Sequence, residues 1–295
     1  MSIVEDAAYP VALQEQVDDF LRTLRFSREP ATAGLEEAMR YSLLAGGKRI
    51  RPVLALATAE ALGRDSERVL PLAAALELIH TYSLIHDDLP AMDDDDTRRG
   101  QPTNHKVFGD DVAILAGDAL FAEAVTLVLE RQQGDPANVL AALRTITAAA
   151  AVSGMVGGQY VDISAGDSLD AQGLRHLHEL KTGRLINASV EAVLRLEGAD
   201  GPATMPYTRF AAELGVLFQI VDDILDVMGD EVALGKPQGS DERHGKRTYV
   251  SVFGLERARE LARESHAKAR AALDEADGRT ATLEQITDYI LTRKN

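Results

Sequence analysis

Residues 86–96 read His-Asp-Asp-Leu-Pro-Ala-Met-Asp-Asp-Asp-Asp, and a second aspartate cluster, Asp-Asp-Ile-Leu-Asp, occupies residues 222–226. Each cluster follows an apolar run with helical periodicity. Carboxylates at the C-terminal end of a helix repel one another and meet the negative end of the macrodipole, at about 0.3–1 kcal/mol each. A multivalent cation bound with a phosphorylated substrate would offset that cost. The two clusters therefore predict two walls of one magnesium site in a helical protein.

The second cluster has the spacing of one helix face. Asp222 and Asp226 are four residues apart and share a face, whereas Asp223 lies about 100° away. Magnesium prefers oxygen ligands and usually bridges to substrate phosphates, so a few aspartates suit it. The chain has no cysteine and no His-x-x-x-His pair that would indicate zinc.

The first cluster requires a break in its helix. Asp87 and Asp93 are six residues apart, which places them on different faces of an ideal helix. Because Pro90 disrupts a helix, we expect a break near Leu89–Met92 that returns Asp93 to the place of an i+4 residue. For residues 93–96 taken alone, a solvated acidic loop is the alternative.

Composition indicates a globular helical protein. The chain has 295 residues, of which 45% are hydrophobic and only 5% aromatic, and this balance favours an all-α fold. The net charge of −16 argues against nucleic acid or an anionic membrane as a partner. The N-terminus does not resemble a signal peptide, and no apolar run reaches about 18 residues. We therefore expect a cytoplasmic protein without a stable membrane anchor.

Apolar periodicity and Gly/Pro stops predict a single all-α domain over residues 1–295, with about ten or more helices. Residues 229–248 are rich in Gly, Pro and charge and are predicted to form a loop. The glycines at 154, 157 and 158 predict a weak or kinked stretch. The predicted helices are 10–28, 32–45, 52–62, 66–89, 110–133, 136–163, 170–197, 203–228, 249–276 and 280–292.

Cations are gathered in small groups, several of them beside glycine. The segment Gly46–Pro52 lies between two predicted helices, where Lys48 and Arg51 could present charge near exposed N–H groups and bind phosphate. Ordinary surface charge is the alternative for any one group alone. Two separate basic sets suggest two diphosphates. The other basic groups are Arg98-Arg99, Lys181, Lys236 and Lys246-Arg247.

Taken in order, these motifs resemble those of the trans-type short-chain polyprenyl diphosphate synthases, and most closely the bacterial farnesyl diphosphate synthases. The similarity runs from about residue 30 to the end of the chain. A departure is Val250, where the family often has proline. The motifs are GGKRIRP at 46–52, DDLPAMDDDDTRRG at 87–100, GGQYVD at 157–162, KTG at 181–183, FQIVDDILD at 218–226, and GKPQGSD at 235–241 followed by GKRTY at 245–249.

The resemblance implies an isoprenoid-synthase fold, with helices around a deep central cavity, and a homodimer. It implies three Mg²⁺ ions, for which Mn²⁺ could substitute. The implied metal-binding residues are Asp87 and Asp93, supported by Asp88, and Asp222, supported by Asp223 and Asp226. The residues implied to hold the allylic diphosphate are Arg98, Lys181, Lys236 and Lys246. Thr182 and Gln219 would shape the reacting centre, with Gln159 and Asp162 nearby. Those implied to hold isopentenyl diphosphate are Lys48, Arg51, His80 and Arg99.

The implied reaction is a magnesium-assisted ionisation, condensation and elimination that joins isopentenyl diphosphate to dimethylallyl or geranyl diphosphate. Tyr82 and Ser83 precede Asp87 by about one helical turn and would lie below the metal site. An aromatic residue there goes, in the resembled family, with farnesyl diphosphate. Ordinary packing is the alternative for Tyr82 and for His80. A geranylgeranyl product is the runner-up, because neighbouring helices also shape the floor.

A class I terpene cyclase is disfavoured. Such an enzyme shares the helical fold and one aspartate motif, but it normally replaces the second cluster with an Asn/Ser/Glu motif and lacks GGKRIRP. A non-catalytic partner subunit would be expected to lose aspartates. A calcium-binding protein would need loops with glycine at defined positions, which this chain does not have.

Overall fold

The computed structural model describes residues 8–165, 169–228 and 246–293. The fold is all-α, as predicted. Most of the predicted helices are found within a few residues of their expected bounds. The helices of the first half are α1 (Val11–Thr23), α2 (Ala33–Leu43), α3 (Ile50–Ala61), α4 (Leu70–Asp87), α5 (Asn104–Phe108), α6 (Asp110–Arg131) and α7 (Pro136–Ala150).

The second half contains two helices that the sequence had joined to their neighbours. The predicted helix 136–163 is α7 and α8, separated at residues 151–154, where a kink was expected. The predicted helix 249–276 is divided at Gly254. A π-helical turn, Glu179–Gly183, joins α9 to α10. The helices are α8 (Met155–Ala165), α9 (Ala171–His178), α10 (Arg184–Leu196), α11 (Met205–Met228), α12 (Tyr249–Phe253), α13 (Leu255–Asp274) and α14 (Ala281–Thr292).

Helix α4 lies in the interior. Its apolar side chains surround the helix, as expected for a helix buried on all sides, and Leu72, Leu76 and Ile79 are fully buried. It packs against α3 and α6, while α10 packs against α7 and α11 against α13. The C-terminal half of α4 carries polar residues. Burial of the helix therefore holds those polar side chains at a defined place inside the protein.

A short β-ribbon follows the first aspartate cluster, where no strand was predicted. Strand β1 (Thr97–Arg98) pairs with β2 (Gln101–Pro102) in antiparallel register. The two residues between them, Arg99 and Gly100, both have positive φ, 54° and 74°. Positive φ at both central residues is the signature of a type I′ hairpin turn. This turn places Arg98 and Arg99 at defined positions beside α4.

Three helical stretches are long and apolar enough to cross a membrane by length and composition: Ser66–Asp87, Asp110–Arg131 and Pro136–Ser164. The prediction that the chain contains no such stretch was wrong on these criteria. The first stretch is apolar because α4 lies in the interior: 67% of its most apolar 18-residue segment is buried. In Asp110–Arg131 and in Pro136–Ser164, only 39% of the most apolar 18-residue segment is buried. Helices α6, α7 and α8 therefore leave apolar surface outside the core.

Candidate active site

A cavity of about 940 Å³ opens between α4, α8, the π-helical turn and α11. It gathers most of the residues proposed from sequence. Asp88, Asp93 and Asp226 do not line it, and Lys236 lies outside the described residues, as does most of the predicted loop 229–248. The proposed site residues that line it are Lys48, Arg51, His80, Tyr82, Ser83, Asp87, Arg98, Arg99, Gln159, Asp162, Lys181, Thr182, Gln219, Asp222, Asp223 and Lys246.

The first aspartate cluster breaks its helix as predicted. Helix α4 ends at Asp87, and turns follow through residue 93. The N–H of Asp93 donates to the carbonyl of Asp87 over 2.9 Å, so the chain doubles back to the end of the helix. Pro90 has no N–H and cannot continue the helical hydrogen bonds. The loop, rather than the helix, therefore brings these two aspartates together.

Asp87 is a carboxyl group that resists ionisation. Its pKa is raised to about 6, chiefly because the carboxyl is buried, and the charge of Asp93 adds to the rise. Lys181, Arg98 and Lys246 act in the opposite direction. A bound cation favours the ionised carboxylate in such a place. The site is therefore electrostatically suited to a divalent metal.

Asp88 is buried and binds Arg98. Arg98 Nε donates to the two carboxylate oxygens of Asp88, over 2.7 Å to Oδ1 and 3.0 Å to Oδ2. Arg98 Nη2 forms an ion pair with Oδ1 over 2.6 Å. Arg98 lines the cavity, and Asp88 does not. This geometry means that Asp88 orients the arginine that faces the cavity.

The second cluster divides into one exposed and two buried carboxylates. Asp222 lines the cavity and has a side chain that is 52% exposed, 3.2 Å from Arg293. Asp223 is buried and accepts hydrogen bonds from Gln219 Nε2 over 2.7 Å and from the N–H of Tyr249 over 2.6 Å. Asp226 is buried as well. The helical spacing thus presents Asp222 to the cavity, while Asp223 fixes Gln219.

The Lys-Thr-Gly motif lies in the π-helical turn. Lys181 Nζ donates to Asp162 of α8 over 2.5 Å, and Thr182 Oγ1 donates to Gln219 of α11 over 2.7 Å. Gly158 of α8 lies directly against this turn, since a Cβ there would approach the Lys181 nitrogen to 2.4 Å. Single π-helical turns inside α-helices are frequent at functional sites. Here the turn presents consecutive polar side chains to two different helices.

A second basic group in the cavity lining consists of Lys48, Arg51, His80 and Arg99. Arg51 is buried, and burial lowers its pKa to about 10. The pKa of His80 is lowered well below its usual range, first by burial and then by the charges of Arg51 and Arg99. His80 is therefore neutral at physiological pH, and its ring can donate a hydrogen bond without adding a charge.

Acidic and basic side chains meet directly in and beside the cavity. Lys246 Nζ lies 2.7 Å from Asp93, in addition to the pairs that Arg98, Lys181 and Arg293 make. Three of the cations proposed for the allylic diphosphate, Arg98, Lys181 and Lys246, thus lie beside a carboxylate. Side-by-side carboxylates and cations are typical of a site for a metal–diphosphate complex. The carboxylates bind the metal, while the cations bind phosphate oxygens of the same diphosphate.

The sequence motifs did not indicate several residues of the site, among them His178, Tyr289 and Arg293. His178 and Arg293 line the cavity, and Tyr289 contacts Lys48, whose Nζ lies 5.1 Å from the centre of the Tyr289 ring. Burial lowers the pKa of His178 to about 4. His178 precedes Lys181 by three residues, so the helical pattern could have revealed it. Tyr289 and Arg293 come from α14 and the residue after it, and no motif marks them.

Aromatic rings lie next to Tyr82, one turn before Asp87. The Tyr82 ring meets the Phe121 ring edge-on at 5.4 Å and the His86 ring at 5.7 Å. Phe121 belongs to α6 and does not line the cavity. Tyr82 therefore stands between the cavity and a second aromatic ring on the neighbouring helix.

The carboxylates that face or adjoin the cavity supply the oxygen ligands that Mg²⁺ prefers. Another acidic group, Asp94, Asp96 and His105, has ligand atoms within 4.8 Å of one another. Asp96 also pairs with Lys106 over 2.6 Å, and both aspartates are exposed. The cavity is the better fit for a metal–diphosphate complex, because its carboxylates adjoin the cations Arg98, Lys181 and Lys246.

The chain is similar to enzymes of isoprenoid synthesis. The polyprenyl synthetase family profile matches residues 32–290. A farnesyl diphosphate synthase from Geobacillus stearothermophilus is 44% identical over 95% of either chain. A chloroplastic geranylgeranyl pyrophosphate synthase from Capsicum annuum is 44% identical over 88% of this chain and 72% of its own. The structure of a geranyltransferase from Helicobacter pylori, complexed with magnesium and isoprenyl diphosphate, covers 97% of both chains at 30% identity, with a TM-score of 0.83.

The family match includes both aspartate clusters and the basic segment that precedes α3. The relatives resemble the chain over most of its length rather than in one motif. Sequence and fold lead to the same group of enzymes. The chain belongs to the polyprenyl synthetase family.

Proposed function

We propose that this protein is a prenyltransferase that condenses isopentenyl diphosphate head-to-tail with dimethylallyl and geranyl diphosphates, giving mainly farnesyl diphosphate. The observation that carries the proposal is the convergence of carboxylates from α4 and α11 with two basic groups on one cavity. The relative named farnesyl diphosphate synthase supports the product. The geranylgeranyl synthase of the same identity, over a smaller share of both chains, makes a twenty-carbon product the second candidate.

Magnesium is the proposed metal, with three ions held from two walls. Asp87 and Asp93 would hold two ions and Asp222 the third, and Mn²⁺ could substitute. Asp88, Asp223 and Asp226 would support them through hydrogen bonds or waters. Bound magnesium neutralises negative charge that develops on the leaving diphosphate. The carboxylate donors and the raised pKa of Asp87 support this assignment.

The allylic half of the reaction uses the cations beside those carboxylates. Arg98, Lys181, Lys236 and Lys246 bind the allylic diphosphate and stabilise its charge as the carbon–oxygen bond breaks. Three neutral oxygens shield the allylic cation: the carbonyl of Lys181, the Thr182 hydroxyl and the Gln219 amide. The hydrogen bonds from Thr182 to Gln219 and from Gln219 to Asp223 support this role, because they hold the amide in place.

The second half of the reaction uses the other basic group. Lys48, Arg51, His80 and Arg99 bind the diphosphate of isopentenyl diphosphate. Its double bond attacks the allylic cation to form the new carbon–carbon bond. The resulting cation loses a proton, which restores an alkene, and the departed diphosphate accepts that proton. Gln159 and Asp162 lie near the reacting centre, where Asp162 holds Lys181.

Product length is proposed to be limited at Tyr82 and Ser83. The growing hydrocarbon would extend from the metal site along α4 towards these side chains. The Phe121 ring behind Tyr82 supports the proposal, since it opposes displacement of the tyrosine. A floor at this depth would stop the chain at fifteen carbons.

The enzyme is proposed to be a cytoplasmic homodimer without a stable membrane anchor, formed by one domain over residues 1–295. The exposed apolar side chains of α6 support a dimer. Ile114, Leu115 and Leu129 are 45%, 55% and 57% exposed. A second copy of the chain would bury this surface.

The test is incubation of the purified protein with isopentenyl diphosphate, one allylic starter at a time, and magnesium. We expect release of diphosphate and a main product that co-migrates with farnesyl diphosphate in chromatography. A main product of twenty carbons would select the geranylgeranyl alternative. A cyclic hydrocarbon, or no condensation with any starter, would contradict the proposal.

A further inference from the structure

Arg49 stands inside the basic segment but is not directed to bulk solvent. Its residue is 3% exposed, although it lies between the charged residues Lys48 and Arg51. The sequence motif gave no separate role to this arginine. Its surroundings show what the buried charge does.

The guanidinium of Arg49 makes three hydrogen bonds with three elements. Its Nε donates to Asp18 of α1 over 2.8 Å, and its Nη1 donates to Glu77 of α4 over 2.7 Å. Its Nη2 donates to the carbonyl of Leu43, the last residue of α2, over 2.9 Å. The planar, rigid fork of arginine suits such a set of acceptors, which one ammonium group cannot satisfy in the same geometry.

The backbone of Arg49 also turns in an unusual way. Its φ is 54°, in the left-handed region that side-chain-bearing residues seldom adopt. Strained residues of this kind persist where the surrounding structure determines them. On one side, the carbonyl of Lys48 accepts a hydrogen bond from Tyr9 Oη over 2.5 Å. The segment is thus held by both its backbone and its buried arginine.

Glu77 links this anchor to the rest of the basic group. It is 1% exposed, and its charge favours the protonated forms of Arg49, Arg51 and Arg99. His80 follows it by three residues on α4. The ion pair therefore sets the position of the segment and offsets repulsion among the arginines at the same time.

We propose that Arg49 is a positioning residue whose buried pair with Glu77, together with Asp18, holds Lys48 and Arg51 in place to bind the diphosphate of isopentenyl diphosphate. This inference rests on the proposed function of the cavity. A purely structural role for the pair would predict only a change in stability.

Four variants separate the two roles. Arg49→Lys keeps a charge but loses the fork, and Arg49→Met leaves Glu77 without its partner. The double variant Arg49→Met/Glu77→Leu replaces the whole pair with apolar groups, which is often neutral or stabilising in a buried site. Arg64→Met removes an arginine that pairs with Glu197 over 2.9 Å outside the cavity lining and serves as the control.

We expect the double variant to regain the thermal stability that Arg49→Met loses. Its KM for isopentenyl diphosphate should nevertheless stay on the order of tenfold or more above wild type, because misplaced binding groups lose that much. Arg49→Lys should shift the same KM in the same direction. In Arg49→Lys and in the double variant, the KM for the allylic substrate and kcat at saturation should change by less than about threefold. Such a change is smaller than the loss of one typical hydrogen bond to the substrate would cause. Arg64→Met should match wild type.

Equilibrium binding of isopentenyl diphosphate by calorimetry distinguishes the failure of this inference from that of the proposed function. If wild-type protein binds the ligand and folded Arg49→Lys and double variants bind it equally well, the positioning role is wrong. If wild-type protein itself does not bind isopentenyl diphosphate, the proposed function of the basic group fails first.

Discussion

At the scale of single residues, neighbouring aspartates have different environments and therefore different roles. Both Asp222 and Asp223 line the cavity, but Asp222 is exposed there, whereas Asp223 is buried and accepts hydrogen bonds from Gln219 and the N–H of Tyr249. Asp87 and Asp88 divide in the same way, since Arg98 occupies the second. The spacing of the aspartates in the sequence cannot distinguish these roles. Which of two adjacent carboxylates is buried depends on how the helices pack in the folded protein.

The cavity-facing aspartates should be needed for turnover but not for folding. We expect Asp87→Ala and Asp222→Ala to lower kcat by two or more orders of magnitude, because each would remove a carboxylate proposed to bind the metal that stabilises the transition state. Circular dichroism and thermal unfolding should show a folded protein in both cases. Asp200→Ala, at an exposed residue directly before the short 3₁₀ helix Gly201–Thr204, is the matched control. Near-normal kcat in either cavity variant would contradict the metal assignment.

Tyr82 should control product length. We expect Tyr82→Ala to shift the product from fifteen towards twenty carbons or more, since it removes the ring that separates the cavity from Phe121. Chromatography of dephosphorylated products measures the shift. The control is Tyr41→Ala, which also removes an aromatic ring. Tyr41 does not line the main cavity, and its hydroxyl donates to the Pro102 carbonyl. An unaltered distribution in Tyr82→Ala would remove Tyr82 from the floor.

His178 should make the fold sensitive to acid. Its pKa is lowered to about 4 by burial, so between pH 6.5 and 4 the unfolded chain takes up a proton that the folded chain does not. Stability should therefore fall with decreasing pH across that window, by on the order of 1–3 kcal/mol from this residue. Urea unfolding at pH 7.5 and 4.5 should show a smaller loss for His178→Asn than for wild type. His176→Asn, exposed on the same helix, should keep the wild-type difference.

At the scale of helices, the site depends on interruptions of regular structure. Helix α4 stops at Asp87, and the π-helical turn interrupts α9 and α10 at Lys181. The first interruption was predictable, because Pro90 has a local steric effect. The second was not, since Glu179–Gly183 has no local signal beyond one glycine. Its geometry depends on α8 and α11, which are distant in sequence and contact the turn.

The close approach of α8 to that turn gives a test. A Cβ at Gly158 would approach the nitrogen and Cα of Lys181 to 2.4 and 2.6 Å, so Gly158→Ala must displace the turn. We expect a loss of about 1–3 kcal/mol in stability and a marked drop in kcat, because Lys181 and Thr182 move together. Gly34→Ala, where a helical Cβ meets nothing within 4 Å, should leave kcat unchanged. A fully active Gly158→Ala variant would show that the turn tolerates displacement.

At the scale of the whole molecule, the helices and most site residues could be predicted because each depends on local pattern or on a specific motif. Periodicity located α1 to α4 and the helix of the second cluster within a few residues. The contributions of Tyr289 and Arg293 could not be predicted, because Tyr289 contacts Lys48 and Arg293 lines the cavity only when α14 packs there. The same holds for Arg49, whose partners come from α1, α2 and α4.

The apolar surface of α6 sets the last prediction, which concerns assembly. Only 39% of the most apolar window of Asp110–Arg131 is buried in one chain, and Leu115 and Leu129 are more than half exposed. Exposed apolar surface on a helix is typical of an interaction site, and a second copy is the proposed occupant.

Leu115→Glu/Leu129→Glu places two charges on that face and should shift the protein from dimer to monomer, as measured by light scattering coupled to size-exclusion chromatography. Val11→Glu changes an apolar residue that is 52% exposed on α1, and it should leave the mass unchanged. Because Phe121 lies on the same helix and contacts Tyr82, loss of the dimer should also loosen the proposed floor and broaden the product distribution. A dimer of unchanged stability in the double variant would place the interface elsewhere, while a monomer with an unchanged product would separate assembly from product length.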